Sequence, residues 1–144
     1  MRRLITRVVL VGLLGITFVA PVAALAATRV PAKESTTTIL RGTFTDSAKY
    51  TGSGSLAVVR RKSVRTIRVA RNFRADPGAI RLRTYLATSP SGRTSIDLGS
   101  MRGSGAQSFR VPAGVSLSRY RYVIAWCAAV DEPITQALLV QTPR

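Results

Sequence analysis

Apolar and polar residues alternate with a period of two along most of the chain beyond residue 36. Ile67 and Val69 alternate with Arg68, and the run Ile80–Ala87 places apolar residues between Arg81, Arg83 and Tyr85. Side chains of successive strand residues point to opposite faces of a sheet. The pattern therefore predicts half-buried strands with their arginines on the solvent side.

Clusters of Gly, Pro, Ser and Asn separate eight such runs at a spacing of roughly 8–12 residues. The only helical candidate is a single turn around Ser116–Arg121. The predicted fold is all-β, either an antiparallel β-sandwich or a small barrel. The predicted strands lie near Thr37–Phe44, Ser55–Arg61, Val64–Ala70, Ile80–Ala87, Ser95–Leu98, Gln107–Val111, Tyr122–Cys127 and Ala137–Thr142. The predicted core contains Phe44, Ile67, Val69, Phe73, Ile80, Leu82, Leu86, Leu98, Phe109, Val111, Ile124, Trp126 and Leu139.

The run Tyr122–Cys127 is apolar without alternation, which is typical of a central strand covered on both faces. Cys127 shares one face with Val123 and Ala125, whereas Trp126 shares the other with Ile124. Cys127 is the only cysteine of the chain, and its place at the end of the strand favours exposure.

The N-terminus has the three parts of a secretory signal. Three arginines precede an apolar run, Val8–Val19, and Ala24-Leu25-Ala26 is a small-residue cleavage site. We expect a signal peptide over residues 1–26, a flexible lead over 27–36 and one domain over 37–144. The mature protein would be secreted or otherwise extracytoplasmic, with an uncleaved membrane anchor as the alternative.

The charge is strongly positive, with 22 Lys and Arg against 6 Asp and Glu and a net charge of +16. Such a chain suits anionic lipids or acidic cell-wall polymers, although an ordinary solvated basic face is an equal alternative. Nucleic acid is not expected, because the chain is predicted to be exported and its aromatic residues are not interleaved with its arginines. The candidate contacts with an anionic surface are Arg65, Arg68, Arg81, Arg83 and Arg110.

Missing residue types limit the chemistry. The sequence contains no histidine, which excludes Ser-His-Asp and Cys-His triads and histidine-ligated metal sites. One cysteine cannot supply a Cys-x-x-Cys pair within the chain. Asp131 and Glu132 are adjacent, and strand neighbours point apart, so they predict no acid–base pair. No metal site is expected, and a stand-alone enzyme is less expected than a non-enzymatic domain.

Cys127 is then the one candidate for chemistry. It is either a small buried apolar residue, as free cysteines usually are, or a reactive thiol stabilised by nearby arginine. A reactive thiol has three possible roles: thiol redox chemistry, ligation of haem or copper, or a mixed disulfide with another protein. Copper is disfavoured because only Met1 and Met101 would add sulfur ligands. The cofactor, if any, stays open.

Several short motifs, in this order, resemble one family. They are Gly42-Thr43-Phe44, Thr51–Gly54, Asn72-Phe73, Asp97-Leu98-Gly99, Phe109–Pro112, a turn over Val115–Tyr120 and Tyr122–Cys127. This order is similar to the DM-thirteen domain family, a proposed electron-transfer domain often found beside DOMON domains. The resemblance covers roughly Thr38 to Val140.

The resemblance implies a β-rich extracytoplasmic module whose cysteine, Cys127 here, is a suspected redox thiol or cofactor ligand. Two departures stand out. Relatives often have a histidine before the Ser-Gly pair, where the nearest residue here is Tyr50, and Asp131-Glu132-Pro133 interrupts what is usually an apolar strand. The first hypothesis is a redox-active thiol at Cys127 that meets a partner protein. The alternative is a non-enzymatic basic module that contacts anionic envelope lipids or polymers.

Overall fold

A computed structural model describes residues 35–143. Every strand pairing among them is antiparallel, and they contain no α-helix. The predicted all-β class is therefore confirmed. The strands are β1 (Thr37–Asp46), β2 (Gly52–Ser53), β3 (Ser55–Arg61), β4 (Val64–Val69), β5 (Arg74–Ala75), β6 (Leu82–Ala87), β7 (Ser95–Ser100), β8 (Gln107–Val111), β9 (Tyr122–Cys127), β10 (Glu132–Leu138) and β11 (Val140–Gln141).

The strands form one large sheet in the order β7-β6-β9-β10-β1-β3-β4-β8, with β11 paired to β1. The short strands β2 and β5 pair separately. The two outer strands of the large sheet, β7 and β8, contact one another. The sheet is therefore nearly closed into a barrel, which is one of the two architectures that the spacing of the apolar runs predicts.

The inner face of the sheet carries the core. Ile67 is fully buried and Val69 nearly so, while Arg68 between them is exposed, as the alternation predicts. Phe44 and Phe73 pack with ring centroids 4.7 Å apart. Complete burial of an aromatic or branched aliphatic side chain stabilises the fold by roughly 1.5–3 kcal/mol.

Strand β9 lies between β6 and β10 and is buried on both faces. Val123, Ala125 and Cys127 share one face, as the alternation predicts, and they belong to the core cluster, although none of the three was among the predicted core residues. Ile124 is fully buried on the opposite face, where a Cβ added to Gly92 would stand 3.0 Å from the Trp126 ring. The loop between β6 and β7 therefore packs against the outer face of β9.

Three predicted core residues differ from expectation. Ile80 is 61% exposed, so its assignment to the core is wrong. The cause lies in the backbone, because Arg81 has a φ of 55° and β6 begins only at Leu82. Leu98 and Trp126 are partly rather than fully buried.

The C-terminal strand also differs. The predicted run Ala137–Thr142 is divided between the end of β10 and the two-residue β11. β10 begins at Glu132 although Pro133 lacks a backbone N–H, because the pairing with β9 shifts register between Pro133 and Thr135. Bulges of this kind are where strands tolerate proline.

The predicted signal peptide over residues 1–26, and all but the last two residues of the lead, lie outside the described residues. Within residues 35–143 no helix is long and apolar enough to span a bilayer. The helical candidate at Ser116–Arg121 is a turn in which the Tyr120 N–H donates to the Ser116 carbonyl at 2.9 Å.

Candidate functional site

Cys127 ends β9 with Leu82 of β6 on one side and Glu132 of β10 on the other. The residue is only 2% exposed, so the position at the strand end does not expose it as the sequence suggests. Its thiol donates to the Ile80 carbonyl oxygen, with Sγ and O 3.0 Å apart. The thiol therefore lies inside the barrel wall with its proton directed at the backbone.

A tight turn over residues 128–131 follows the thiol. The Ala128 N–H donates to the Arg81 carbonyl at 3.2 Å, which joins the turn to the segment before β6. The Trp126 indole N–H donates to Asp131 Oδ1 at 3.2 Å, which ties the end of the turn back to β9. Residues 128–131 are themselves exposed. This turn and the Ile80–Arg81 segment cover the end of β9.

Backbone strain is concentrated around this turn. Among residues 35–143 only three non-glycine residues have a positive φ, and two of them, Arg81 and Asp131, lie in the two segments that cover Cys127. The third, Lys62, lies in the hairpin turn between β3 and β4. Left-handed backbone at non-glycine residues is unfavourable and is found disproportionately at functional sites.

A polar group lies beside the thiol on the β10 side. The Tyr50 hydroxyl donates to Glu132 Oε2 at 3.0 Å, and the Lys49 ammonium forms an ion pair with Glu132 Oε1. Glu132 is the β10 residue directly opposite Cys127. We call Cys127, Tyr50, Glu132 and Lys49 the thiol cluster.

The electrostatics of the thiol cluster fix two protonation states. Hydrogen bonds from Lys49 and Tyr50 lower the pKa of Glu132 below its usual value. The hydrogen bond to Glu132, followed by desolvation, raises the pKa of Tyr50, and the nearby Cys127 contributes in the same direction. At neutral pH the cluster therefore contains an ionised carboxylate and a protonated phenol near the thiol.

Two further observations limit what the cluster can hold. Within residues 35–143 no three Cys, Asp or Glu side chains come together as a metal-binding group. The pocket beside the cluster, lined by Tyr50, Glu132, Lys49 and their neighbours, has a volume of about 150 Å³. Pockets for drug-sized ligands and cofactors usually enclose roughly 300–1,000 Å³. The residues at Cys127 therefore do not fit a haem.

The five arginines proposed to contact an anionic surface do not lie on one face. Arg68, Arg81 and Arg110 are exposed, whereas Arg65 and Arg83 are half-buried. Arg83 donates from Nε to Asp97 Oδ2 at 2.7 Å, and it lies on β6, away from β4 and β8 in the strand order. Arg68 and Arg110 are diagonal neighbours on the outer face of β4 and β8. Arg65 instead shares the core-facing side of β4 with Ile67.

Sequence reasoning missed the acidic and basic members of the thiol cluster. Lys49 and Tyr50 are separated from Glu132 by 83 and 82 residues, so no local spacing connects them. The one usable signal was Tyr50 itself, which stands out in the sequence as the residue nearest to the position of an expected histidine.

Comparison with known proteins gives one family. A family model described as Electron transfer DM13 matches residues 43–139, which include Cys127, Tyr50 and Glu132. No curated protein matches the chain, and no solved structure does so. The matched region extends from the end of β1 through β10 and covers about two-thirds of the sequence. The chain therefore belongs to the electron transfer DM13 family.

Proposed function

We propose that this domain transfers electrons through the Cys127 thiol, as a secreted or cell-surface protein that exchanges them with a partner protein. The observation that carries the proposal is the thiol cluster, in which the only cysteine of the chain lies beside an ionised carboxylate and a phenol. An inert core cysteine needs no such neighbours. Membership of an electron-transfer family supports the same reading.

The reaction that makes the smallest demand is thiol–disulfide exchange. The Cys127 thiolate attacks one sulfur of a disulfide in the partner, a new S–S bond forms, and the other partner sulfur leaves as a thiolate. The partner disulfide is the oxidant, and the thiol proton passes to a base. Water that enters when the site opens is our candidate for that base, because the lowered pKa of Glu132 makes its carboxylate a weak proton acceptor. With one cysteine in the chain, the product is a mixed disulfide rather than an intrachain bond.

Access to the thiol needs local opening. The turn over residues 128–131 is held by the Ala128–Arg81 and Trp126–Asp131 hydrogen bonds and contains strained backbone at Asp131. Turns with few buried contacts open at a free energy well below that of global unfolding. We infer that opening of this turn exposes Cys127 to its partner while the barrel stays folded.

The test is reaction of the folded protein with a small disulfide such as oxidised glutathione at neutral pH. We expect one adduct per chain by mass spectrometry, formed at a rate that low urea concentrations hardly change, because local opening exposes little surface. Cys127→Ser should give no adduct. Glu132→Gln should speed the reaction, because removal of the negative charge opposite Cys127 favours the thiolate, while Asp46→Asn, which alters a carboxylate outside the cluster, should leave the rate unchanged.

A buried inert cysteine gives a different result. Adduct formation would then follow the global unfolding rate and rise steeply with urea. Cys127→Ser would also lose stability, because a smaller and more polar hydroxyl would replace an apolar sulfur that is buried in the core. That pair of results would contradict the redox proposal.

A second candidate function is contact with anionic lipids or cell-wall polymers. It is favoured by the exposed arginines Arg41, Arg68 and Arg110 on the outer face of β1, β4 and β8, where Arg41 and Arg68 both pair with Ala57 of the intervening β3. We expect salt-sensitive co-sedimentation with an acidic polymer that Arg68→Gln and Arg110→Gln weaken. Binding unchanged in high salt would contradict an electrostatic contact, since exposed charges are screened there.

A further inference from the structure

An open pocket of about 550 Å³ lies at the end of the barrel opposite Cys127. Strand β9 runs from Tyr122, which pairs with Leu138, to Cys127, which pairs with Glu132, and spans about 17 Å between them. The volume falls within the range of small-molecule sites. The pocket, here called the mouth pocket, is lined by Ile39, Leu40, Arg60, Arg65, Leu117, Ser118, Arg121, Leu139, Val140 and Gln141.

One wall of the mouth pocket is cationic. Arg60 of β3 and Arg65 of β4 are directly opposite one another across the strand pair. Each continues the core-facing alternation of its strand, Arg60 after Val58 and Arg65 before Ile67. Like charges directly opposite on paired strands are destabilising. An anion bound between the two arginines would therefore relieve their repulsion.

No such anion is supplied by the pocket lining. None of the lining residues is acidic, and Arg121 adds a third guanidinium. Arg65 makes only a long contact from its guanidinium to the Pro112 carbonyl oxygen, at 3.5 Å. Within the described residues, Arg60 and Arg121 make no side-chain hydrogen bond or ion pair. The three guanidinium groups thus keep most of their donors for a ligand.

The other wall is aliphatic. Leu40 and Leu139 are buried at its base, and Ile39 and Leu117 are partly buried residues that pack against the core. Val140 is 48% exposed at the rim. No aromatic residue lines the pocket, so it offers nothing for a nucleobase to stack on. The lining combines positive charge with an apolar surface that no residue between 35 and 143 covers.

We propose that the mouth pocket binds an amphiphile with an anionic headgroup, such as a phospholipid. The phosphate accepts hydrogen bonds from Arg60, Arg65 and Arg121, because guanidinium groups match phosphate oxygens in geometry and charge. The acyl carbons next to the headgroup pack on Leu117, Ile39 and Val140. This function is separate from electron transfer at Cys127 and does not depend on it.

Binding of short-chain lipids below their micelle concentration, measured by calorimetry, tests the proposal. Three probes separate the two parts of the ligand: dihexanoyl phosphatidylglycerol, dihexanoyl phosphatidylcholine and glycerol phosphate. We expect the anionic lipid to bind at least about tenfold more tightly than the zwitterionic lipid with the same chains, and than the phosphate without chains. Equal affinity for either of the other probes would overturn the proposal.

Variants locate the site. Arg60→Gln, Arg65→Gln and Arg121→Gln should each weaken phosphatidylglycerol binding by about tenfold, roughly 1.4 kcal/mol. Arg119→Gln is the matched control, since Arg119 is exposed two residues before Arg121 but does not line the pocket. Leu117→Ser should weaken binding of the lipid and leave binding of glycerol phosphate unchanged. An equal loss in Arg119→Gln and Arg121→Gln would overturn the site.

Two sources of the ligand are distinguished by vesicle flotation with phosphatidylglycerol membranes. A membrane lipid is supported if the protein is recovered with the vesicles and if Arg121→Gln reduces that recovery while Arg119→Gln leaves it unchanged. Binding of the monomeric lipid without vesicle recovery supports a free amphiphile. Thermal melts of each variant show whether the barrel is intact. The Arg60→Gln and Arg121→Gln variants should melt with the parent because both side chains are exposed, whereas Leu117→Ser should lower the melting temperature because Leu117 packs against the core.

Discussion

Two buried threonines should respond in opposite ways to the same substitution. Thr84 of β6 and Thr135 of β10 are both fully buried and both pair with Ala125 of β9. The Thr135 hydroxyl donates to the Thr45 carbonyl at 2.6 Å. The Thr84 hydroxyl has no hydrogen-bond partner. Replacement by Val keeps the shape of either side chain and removes only its hydrogen-bonding group.

The magnitudes follow from the cost of an unpaired hydroxyl. Burial of such a group without a hydrogen bond costs about 1–3 kcal/mol in proteins. Thr84→Val should therefore raise the free energy of unfolding by about 1–2 kcal/mol. Thr135→Val removes a made hydrogen bond, whose net contribution is about 0.5–1.5 kcal/mol, and should lower the free energy of unfolding by about that amount.

Urea titration monitored by the fluorescence of the single tryptophan, Trp126, measures both variants. The slope of unfolding free energy against urea should stay constant, so that a shift in midpoint reports stability alone. In thermal melts, each kcal/mol of change in the free energy of unfolding shifts the melting temperature by about 4–8 °C in domains of roughly 60–100 residues, slightly smaller than this one. Destabilisation of Thr84→Val with an unchanged slope would refute the reasoning, because it would mean that the Thr84 hydroxyl is paired.

Two other predictions concern packing and pH. Gly52→Ala should destabilise the fold by more than about 3 kcal/mol in urea titration, because the added Cβ would stand 2.2 Å from Thr135 Cβ. Gly78→Ala is the control and should change stability little, because its Cβ would meet only Asp76 Oδ1, at 3.4 Å. A similar loss of stability in both variants would reject the steric argument. Hydrogen bonds from Lys49 and Tyr50 lower the pKa of Glu132, and hydrogen bonds from Gly78 and Thr51 lower the pKa of Asp76. Groups with a lowered folded-state pKa stabilise the fold above their unfolded pKa, about 4, and lose that contribution as the pH falls through the folded value. The urea midpoint should therefore be flat from pH 7 to 5 and fall below pH 4, and equal midpoints at pH 5 and pH 3 would contradict these shifts.

The period-two pattern was sufficient to predict the all-β class of the fold and the bounds of the strand that carries Cys127. Val123 and Ala125 face the core and Ile124 faces the outer side, because a run without polar residues can be stable only when both faces are covered. The same rule failed at Ile80, which continues the alternation of β6 in sequence but not in space. A left-handed backbone at Arg81 ends the strand there, and alternation carries no information about φ.

The candidate site was only partly accessible to sequence reasoning. Cys127 stands out because it is unique, but its burial depends on the turn over residues 128–131, whose contacts to Arg81 are long-range. Glu132 was placed in an interruption of the strand, because Asp131-Glu132-Pro133 departs from the apolar strand that the family resemblance implies. A bulge keeps the strand intact and brings Glu132 opposite Cys127. Arg65 was assigned to the solvent side. It lies two residues before Ile67 on the same strand, however, so the alternation already places it on the core-facing side.

The position of β10 between β9 and β1 has a consequence for how the chain folds. β1 pairs with β10 and β11 across about 90 to 100 residues, so strands that are late in the sequence complete the middle of the sheet rather than its edge. Such long-range pairing is typical of proteins that fold in milliseconds to seconds. Until β10 is inserted, β9 and β1 expose unpaired backbone groups and apolar side chains, which are prone to pairing with other chains. Pairing of β10 with both of its neighbours thus closes two strand edges that would otherwise stay open.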